Sequence, residues 1–475
     1  MVLEELLVGV RVVRNNAQGR HVERIDIDSR CVRESSMFIA ISGTRCDGND
    51  YISDAIARGA SVIVSEHYVE GVPCVVVDNV RQAYSIMSAN FFGNPARRLK
   101  IIAVVGTNGK STCAHFVHEI LSKNGYKVGF IGTGIVRYAG ITVEQDMTTP
   151  DPHMLHHYFA LMVESGVKYV VMEVSAQAIY LDKMYGIHCE LGLFTNLSED
   201  HLDFFDNMDI YKRVKMSYFN ARYMKVGIVN SDDICGREIM SNANMPVFTY
   251  GLDSPSDVFA IDLEYCKEGT RFVVNMLDEI SHFWTEIVGR YNVYNILGAA
   301  LVARLIGIPM YSIRETVTHL RPLEGRYNVV HTNRADFVID YAHTPEAMRA
   351  VISETRRLRN GGVYVVFGCG GDRDRTKRAI MGDIASTLAD GVVLTSDNSR
   401  SERTCDIIDD ILEGVTRDNV TIIENRADAI RYAYEMSDDG DIVLVLGKGA
   451  ERIQDNGEDV LYYSDREAIL DIAKG

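Results

Sequence analysis

Residues 100–112 read KIIAVVGTNGKST, and this stretch decides the fold class of the chain. Its first six residues form an apolar run that predicts a buried strand, and apolar residues spaced three and four apart from Cys113 to Leu121 predict a helix ending near Gly125. A glycine turn between a strand and a helix lets backbone N–H groups approach phosphate oxygens. We therefore predict a nucleotide-phosphate loop formed by Gly106, Thr107, Asn108, Gly109, Lys110, Ser111 and Thr112.

Two side chains of this loop carry the expected chemistry. Lys110 can reach the β- and γ-phosphates of a nucleotide, and the Ser111 hydroxyl can bind Mg²⁺. The usual pattern has a glycine five residues before Gly109, where this chain has Val104. The alternative is a strand–turn–helix junction without a ligand, which the Gly-Lys-Ser-Thr sequence disfavours.

Composition narrows the class of protein around this loop. The chain has 475 residues, of which 47% are hydrophobic and 24% charged, as in globular proteins, and this length predicts about three domains. Lys and Arg (49) minus Asp and Glu (66) gives a net charge of −17, which argues against nucleic-acid or membrane partners. The nine cysteines show no C-x-x-C spacing, so neither a zinc site nor disulfides are indicated. We expect a cytoplasmic protein, and we expect it to be a monomer.

Two breaks in the pattern divide the chain. Turn residues and charge meet at 93–98, and a second break follows at 321–325. Strands alternate with helical patterns around these breaks, which predicts mostly parallel sheets covered by helices. We therefore predict an α/β protein of three domains: a small α/β domain at 1–97, a central domain at 98–325 with a P-loop ATPase-type parallel sheet, and a C-terminal domain at 326–475 with a Rossmann-like sheet.

Polar loops follow three predicted strands of the last domain. The loops 368–374, 396–400 and 447–451 come directly after buried apolar runs. Because ligands bind at the carboxyl ends of parallel strands, the three loops predict one shared site. Its charged residues could hold a zwitterion, with arginine on a carboxylate and acids on an ammonium group. The alternative is a set of surface ion pairs among Arg373, Asp397, Arg400 and Glu451.

Further candidates follow strands of the central sheet. Glu173 ends the strand 169–174 and could face a metal beside the phosphate loop, since Mg²⁺ prefers oxygen ligands. His201 follows the neighbouring strand, and the two residues together favour a site more than either alone. The alternatives are a solvated carboxylate and a structural histidine. Structural roles also fit Lys215 as a surface lysine, 340–345 as a helix-entry turn and Asn292 as a cap before a helix.

Together these motifs resemble the Mur ligase family, and in particular its members that add the third residue of the peptidoglycan stem peptide. The resemblance runs in order along the whole chain. It is carried by Asp28-Ser29-Arg30, residues 106–112, 146–150, 172–175 and 196–203, Lys215, and residues 292–295, 325–326, 340–345, 368–374, 397–400 and 447–451.

The resemblance implies a role for each candidate residue. Catalytic positions fall on Lys110, Lys215 and His201. Besides the loop 106–112, nucleotide contacts fall on Asn295, Arg326, Asp340 and His343. Positions that hold Mg²⁺ fall on Ser111, Glu173, His201 and Lys215, the last after CO₂ has converted its amine to a carbamate. Substrate contacts fall on Ser29, Thr148, Thr149, Ser175, Lys183, Arg373, Asp397, Asn398, Arg400, Gly447 and Glu451.

The implied activity is ATP-dependent peptide ligation in peptidoglycan precursor synthesis, which serves cell shape and division. ATP phosphorylates the terminal carboxylate of UDP-N-acetylmuramoyl-L-alanyl-D-glutamate, and the amine of the third amino acid then displaces phosphate. The resemblance assigns the UDP substrate to the first domain, ATP to the central domain and the amino acid to the last. Asp397-Asn398 with Arg400 resembles the meso-diaminopimelate pattern, because Arg400 can bind the distal carboxylate that lysine lacks. L-Lysine is the alternative.

The chain departs from the family pattern at several positions. Ala176-Gln177 replace Ser-His, Leu181 and Lys183 replace Gln and Arg, Ser399 replaces Pro, and Ala450 replaces His. These changes remove no phosphate or metal ligand, so they leave open the peptide and amino-acid specificity rather than catalysis. The motifs also leave open a folylpolyglutamate synthase, which would lack a separate uridine-nucleotide domain, a methanogen pseudomurein ligase, and a non-catalytic nucleotide-binding paralogue.

Overall fold

Three sheets follow one another along the chain in the computed structural model, which describes residues 1–43, 46–266, 268–358 and 361–474. The sheets have five, eleven and six strands, and a two-stranded hairpin follows the last. The predicted α/β class with helices between strands is confirmed. Within the described ranges, no helix is long and apolar enough to cross a bilayer.

The first sheet is small and mostly parallel. Its strands and helices are α1 (Leu3–Leu6), β1 (Val12–Asn15), β2 (Arg24–Asp26), β3 (Ser36–Ile39), α2 (Ile52–Ala57), β4 (Ala60–Ser65), β5 (Cys74–Val77) and α3 (Val80–Phe91). The strand order is β1-β5-β4-β3-β2, with only β1 antiparallel to its neighbour. The apolar runs expected to be buried strands are β4 and β5, which supply Val62, Val64, Val75 and Val77 to the core.

The central sheet contains the phosphate loop. Its elements are β6 (Lys100–Val105), α4 (Lys110–Lys123), β7 (Val128–Gly132), β8 (Ile135–Tyr138), β9 (Ile141–Glu144), α5 (Pro152–Glu164), β10 (Tyr169–Glu173), α6 (Ala176–Tyr180), β11 (Cys189–Phe194), α7 (Met208–Tyr218), β12 (Met224–Asn230), α8 (Ile234–Asn242), β13 (Val247–Gly251), β14 (Val258–Cys266), β15 (Gly269–Met276), β16 (Glu279–Thr285), α9 (Arg290–Ile306) and α10 (Met310–Thr318). The strand order is β16-β15-β14-β13-β12-β11-β6-β10-β7-β8-β9.

The middle of this sheet is parallel, and antiparallel hairpins extend both edges. Strands β12, β11, β6, β10 and β7 pair in parallel. Successive residues of β6 pack on opposite faces, with Ile102 and Val104 in one core and Ile101, Ala103 and Val105 in the other. Helices therefore cover both faces, and β6 is buried at the centre, as its continuous apolar run predicts.

The third sheet carries the polar loops. Its elements are β17 (Asn328–His331), β18 (Asp336–Asp340), α11 (Pro345–Leu358), β19 (Val363–Phe367), α12 (Thr376–Leu388), β20 (Gly391–Leu394), α13 (Thr404–Leu412), β21 (Val420–Ile422), α14 (Arg426–Met436), β22 (Ile442–Leu446), β23 (Ile453–Asp455), β24 (Val460–Tyr462) and α15 (Asp465–Lys474). The order is β17-β18-β22-β19-β20-β21, parallel except for β17. The carboxyl ends of β19, β20 and β22 therefore lie at one edge, where their loops meet.

One local prediction is wrong. Asn292 is not a cap before the helix, because α9 already begins at Arg290 and its N-cap residue is Gly289, with φ +102°. Asn292 and Asn295 therefore lie inside the first turns of α9, one turn apart, and the Asn295 amide donates to Asn292 Oδ1 at 3.2 Å.

Candidate active site

The phosphate loop joins β6 to α4 in the predicted way. Gly109 is the N-cap residue of α4, with φ +81°, and a Cβ there would lie 2.6 Å from Asn295 Oδ1. A Cβ on Gly106 would overlap Thr195 Oγ1. The two glycines are required because neighbouring elements approach the loop backbone closely.

The end of β11 holds the loop in place. Asn108 N donates to Asn196 Oδ1 at 2.9 Å, and Thr195 Oγ1 donates to the Asn108 carbonyl at 2.7 Å. Thr107 N donates to the Asn196 carbonyl at 2.9 Å. The loop is thus preorganised by its own protein before any phosphate binds.

Both predicted lysines converge on Thr107. Lys110 Nζ donates to the Thr107 carbonyl at 2.9 Å and to the Gly106 carbonyl at 3.1 Å. Lys215 Nζ donates to Thr107 Oγ1 at 2.8 Å. Because one residue receives both ammonium groups, the two lysines belong to one site.

Lys215 is a buried residue of α7 rather than a surface lysine. Its side chain is 1% exposed and lies over the ring of Tyr211, 4.1 Å from the centroid. Within the described residues it has no carboxylate at ion-pair distance. Burial, and then the charge of Lys110, hold the pKa of Lys215 well below its ordinary value. The neutral amine is therefore the favoured form.

Ser111 and Glu173 form an oxygen pair beside the loop. Ser111 Oγ donates to Glu173 Oε2 at 2.8 Å, and Glu173 is 1% exposed. Thr133, which the sequence did not single out, donates from its backbone N to Glu173 Oε1 at 3.0 Å, and its hydroxyl lies 3.0 Å from that of Thr148. Two adjacent hard oxygens next to a phosphate loop are donors that fit Mg²⁺.

His201 lies near the loop but pairs with its neighbour. Its backbone has φ +58°, and its Nε2 is 3.5 Å from Asp200 Oδ2. Burial lowers the pKa of His201 to about 4, although the charge of Asp200 opposes the shift. In the described part of the chain, no three His, Cys, Asp or Glu side chains are grouped to hold a metal. The four residues that the resemblance implied as magnesium ligands thus form three separate contacts.

Asp200 links the central sheet to the last one. Its carboxylate lies 3.7 Å from His343 Nε2 and 3.8 Å from Lys377 Nζ. Burial would raise the pKa of Asp200, but the His343 hydrogen bond and the neighbouring positive charges outweigh burial and lower that pKa. Sequence reasoning missed Asp200 and Lys377, because their partners are distant in the chain.

A cavity of about 540 Å³ between the second and third sheets lies at the start of α4. Seven predicted nucleotide contacts line it: Asn108, Gly109, Thr112, Asn295, Arg326, Asp340 and His343. Gly106, Thr107, Lys110 and Ser111 are not part of its lining. Asp340 accepts from Tyr327 N and Ala342 N, both at 2.7 Å, so it also fixes the local backbone.

A second cavity, of about 510 Å³, lies between the first and second sheets. Ser29 and Lys183 line it, and Arg30 and Arg81 add positive charge. Lys183 Nζ lies 2.8 Å from Asp151 Oδ1 and donates to the Thr149 carbonyl at 3.3 Å. An elongated anionic substrate could therefore run from this cavity toward Glu173.

Two of the predicted substrate contacts also have structural roles. Thr149 is 2% exposed and its hydroxyl donates to the Glu173 carbonyl at 2.9 Å. Ser175 is the N-cap residue of α6, accepting from Ala178 N at 3.1 Å. These two side chains shape the loops on either side of Glu173.

The third cavity, of about 970 Å³, lies beside the loops of the last sheet. Arg373 and Arg400 line it. Arg400 donates from Nη1 to the Gly371 carbonyl at 2.7 Å, and Arg373 lies 3.5 Å from Asp203 of the central sheet. The remaining predicted residues of this pocket, Asp397, Asn398, Gly447 and Glu451, are not part of this lining.

Three family models match consecutive parts of the chain. They are the Mur ligase family, catalytic domain, at residues 21–97, the Mur ligase middle domain at 104–303, and the Mur ligase, glutamate ligase domain, at 325–449.

Individual relatives span the whole length. The chain is 40% identical over 460 residues to the UDP-N-acetylmuramoyl-L-alanyl-D-glutamate–2,6-diaminopimelate ligase 1 of Clostridium acetobutylicum, covering 95% of each chain. A solved structure of a UDP-N-acetylmuramoyl-L-alanyl-D-glutamate–2,6-diaminopimelate ligase is 27% identical, with a TM-score of 0.71 over 100% of this chain and 99% of that one. The MurF ligase of Thermotoga maritima in complex with ADP shares the fold at 18% identity, with a TM-score of 0.64 over 95% and 97% of the two chains.

Proposed function

The chain belongs to the Mur ligase family, and from this premise we propose that it is the ATP-dependent ligase that joins meso-2,6-diaminopimelate to UDP-N-acetylmuramoyl-L-alanyl-D-glutamate. The observation that carries the proposal is the convergence of Lys110 and Lys215 on Thr107, beside the Ser111–Glu173 pair. The names of the similar ligases favour diaminopimelate over the L-lysine alternative.

In the first step, an oxygen of the dipeptide's terminal carboxylate attacks the γ-phosphorus of ATP, and the bond to ADP breaks. The product is an acyl phosphate. Lys110 and the N–H groups of residues 106–112 neutralise charge on the phosphoryl group as it moves, which stabilises a phosphoryl-transfer transition state.

In the second step, the neutral amine of diaminopimelate attacks the acyl carbon. The C–N bond forms, the nitrogen loses a proton, and phosphate leaves with the bridging oxygen. The chain's contribution is to orient the two reactants and to exclude water, which would hydrolyse the acyl phosphate. Cavities at both sheet-to-sheet junctions support closure of the three parts around the reacting atoms.

Mg²⁺ fits the donor set beside the loop. Ser111 and Glu173 would hold the ion, with the neutral imidazole of His201 nearby, and the bound ion would neutralise phosphate charge. The buried, carboxylate-free amine of Lys215 suits reaction with CO₂, in which nitrogen bonds to carbon and loses a proton. The resulting carbamate would be an anionic ligand for a second Mg²⁺.

The carbamate has a direct test. The enzyme in ¹³C-bicarbonate should give a carbamate carbon resonance that is missing from Lys215→Arg. The same resonance in both proteins would exclude Lys215 as the modified residue.

We also propose domain boundaries at 97/98 and 325/326, with the UDP substrate bound mainly by the first domain and the amino acid by the last. We propose that the protein is a cytoplasmic monomer. Its nine cysteines are all free thiols, which suits a reducing compartment.

Phosphate release from the purified enzyme tests the reaction. With ATP, Mg²⁺, bicarbonate and the UDP-dipeptide, release should depend on meso-diaminopimelate and be much slower with L-lysine. Faster release with lysine would overturn the choice of amino acid. Release that no amino acid stimulates would instead support the non-catalytic paralogue.

Arg400 should account for recognition of the distal carboxylate. Arg400→Ala should raise the KM for diaminopimelate at least tenfold, about 1.4 kcal/mol, and leave the KM for lysine unchanged. Arg417→Ala, an exposed arginine between α13 and β21, is the matched control and should change neither constant. Equal effects of Arg400→Ala on both amino acids would contradict this role.

A further inference from the structure

Lys448 is a buried cation that the mechanism above does not use. It stands between two glycines directly after β22, and its side chain is 0% exposed. Gly447 has φ +107°, and a Cβ there would lie 2.7 Å from Asp397 Oδ2. Gly449 has φ +55°, and a Cβ there would lie 2.9 Å from Tyr341 Cβ. Both glycines permit a sharp path that turns the lysine inward, beneath the loops of the amino-acid pocket.

The ammonium group of Lys448 contacts two residues predicted to bind the amino acid. Its Nζ donates to Asn398 Oδ1 at 2.9 Å and lies 3.6 Å from Glu451 Oε2. Burial lowers the pKa of Lys448, while the charge of Asp397 opposes that shift. The charged groups around it are Asp397, Glu451, Arg426 and Asp465.

Asn398 is held at every polar atom of its side chain. Its Oδ1 accepts from Lys448 Nζ and from Asp455 N at 3.0 Å, and its Nδ2 donates to Glu451 Oε2 at 2.9 Å. Asn398 is 4% exposed. An amide turned by 180° would place its NH₂ group against the ammonium and its oxygen against the carboxylate. The lysine therefore allows one amide orientation.

We propose that Lys448 is a positioning residue for the incoming amino acid: by holding Asn398 in one orientation, and through it Glu451, it sets the shape and charge of the pocket that receives diaminopimelate. The inference rests on the proposed function and extends it to a residue that never touches the substrate. Without the ammonium, the amide is free to turn and Glu451 loses its neighbouring positive charge.

The role predicts an effect on the amino acid and not on the other substrates. Lys448→Met should raise the KM for meso-diaminopimelate at least tenfold, and the KM for ATP and for the UDP-dipeptide should change less than twofold. Lys448→Gln, which is polar but uncharged, should show the same split. Lys474→Met, an exposed lysine of α15, is the matched control and should leave all three constants unchanged.

A double variant tests whether Lys448 acts through Asn398. If it does, Lys448→Met with Asn398→Ala should raise the KM by no more than about threefold over the worse single variant, because coupled residues are not additive. A double effect equal to the product of the single effects would overturn the proposal. So would a KM within threefold of wild type in Lys448→Met and Lys448→Gln, or parallel losses for all three substrates.

A binding measurement separates this inference from the proposed reaction. Calorimetric titration of meso-diaminopimelate into enzyme loaded with the UDP-dipeptide and a non-hydrolysable ATP analogue should show at least tenfold weaker binding in Lys448→Met. Equal binding by wild type and variant would refute the positioning role. Wild-type enzyme without diaminopimelate-dependent phosphate release would refute the proposed function instead.

Discussion

Two glycines at opposite ends of helix α4 have nearly the same backbone angle but different neighbours. Gly109 has φ +81° and Gly125 has φ +83°. A Cβ on Gly109 would press on Asn295 Oδ1 at 2.6 Å, whereas a Cβ on Gly125 meets nothing within 4 Å. The pair separates backbone strain from loss of the nucleotide site.

Gly109→Ala should therefore impair both stability and ATP binding. Both Gly109→Ala and Gly125→Ala should lose about 1–2 kcal/mol, the cost of a left-handed L-residue. Only Gly109→Ala displaces Asn295, so only it should raise the KM for ATP, by at least tenfold. Urea denaturation and phosphate-release kinetics measure the two effects. A similar rise in KM for Gly125→Ala would contradict this assignment.

A buried histidine makes the protein sensitive to acid. His156 of α5 is 1% exposed, neither ring nitrogen has a hydrogen-bond partner among the described residues, and burial lowers its pKa to about 4. The unfolded chain binds this proton below about pH 6.5, whereas the folded protein binds it only near pH 4. Folding stability should therefore fall as the pH drops from 6.5 to 4, by up to about 1.4 kcal/mol per unit for this residue.

His156→Phe should flatten that pH dependence. The variant should lose less stability than wild type between pH 6.5 and 5 and show the wild-type slope above pH 7. Urea denaturation at several pH values measures the slopes, and His188→Phe, at an exposed position, is the control. An unchanged slope in His156→Phe would show that this imidazole does not contribute.

At the scale of elements, one buried ion pair ties the ends of two strands to two helices. Arg426, the first residue of α14, donates to the Leu446 carbonyl at 2.9 Å and the Ser396 carbonyl at 3.3 Å. Its Nε lies 2.8 Å from Asp465 Oδ1 of α15, and both side chains are buried. The loops after β20 and β22, which carry the amino-acid pocket, are thereby fixed relative to each other.

Removing one charge of this pair should be costly. Asp465→Asn leaves Arg426 buried without its counter-charge, so we expect a loss of about 3–5 kcal/mol in the unfolding free energy. Asp471→Asn is the control, because Asp471 pairs with Lys474 on the same helix at 3.1 Å but both are exposed, and its loss should be below about 1 kcal/mol. Urea denaturation compares the two. Equal losses would mean that the buried pair is not special.

Local patterns account for the elements that were predicted from the sequence. The strand 100–105, its loop and α4 are adjacent in the chain, so apolar spacing and glycine placement suffice. The cap assigned to Asn292 was wrong because Gly289 adopts a conformation that the spacing does not reveal. The roles of Lys448 and Asp200 depend on partners that only tertiary structure brings near, and no local signal marks such pairs.

At the scale of the whole molecule, the candidate sites lie at the junctions between sheets. Asp200 reaches His343 and Lys377 across one junction, and Arg373 reaches Asp203. Tyr341 connects the nucleotide side to the amino-acid side within the last domain. The Arg326 guanidinium lies 4.6 Å from the Tyr341 ring centroid, and the Tyr341 hydroxyl donates to Glu451 Oε1 at 3.2 Å. One side chain thus contacts a predicted nucleotide residue and a predicted amino-acid residue.

Tyr341→Phe should weaken the coupling between the two ligands. The ring and its contact with Arg326 remain, while Glu451 loses a hydrogen bond of about 1 kcal/mol, so diaminopimelate should bind about fivefold more weakly. Because coupling is reciprocal, the factor by which an ATP analogue tightens diaminopimelate binding should fall as much as the factor by which diaminopimelate tightens the analogue. Calorimetry with each ligand, alone and in the presence of the other, measures both factors. Tyr434→Phe, whose ring stacks on Phe337 away from the site, is the control. Weaker diaminopimelate binding with both factors unchanged would show that Tyr341 supports the pocket without linking it to the nucleotide.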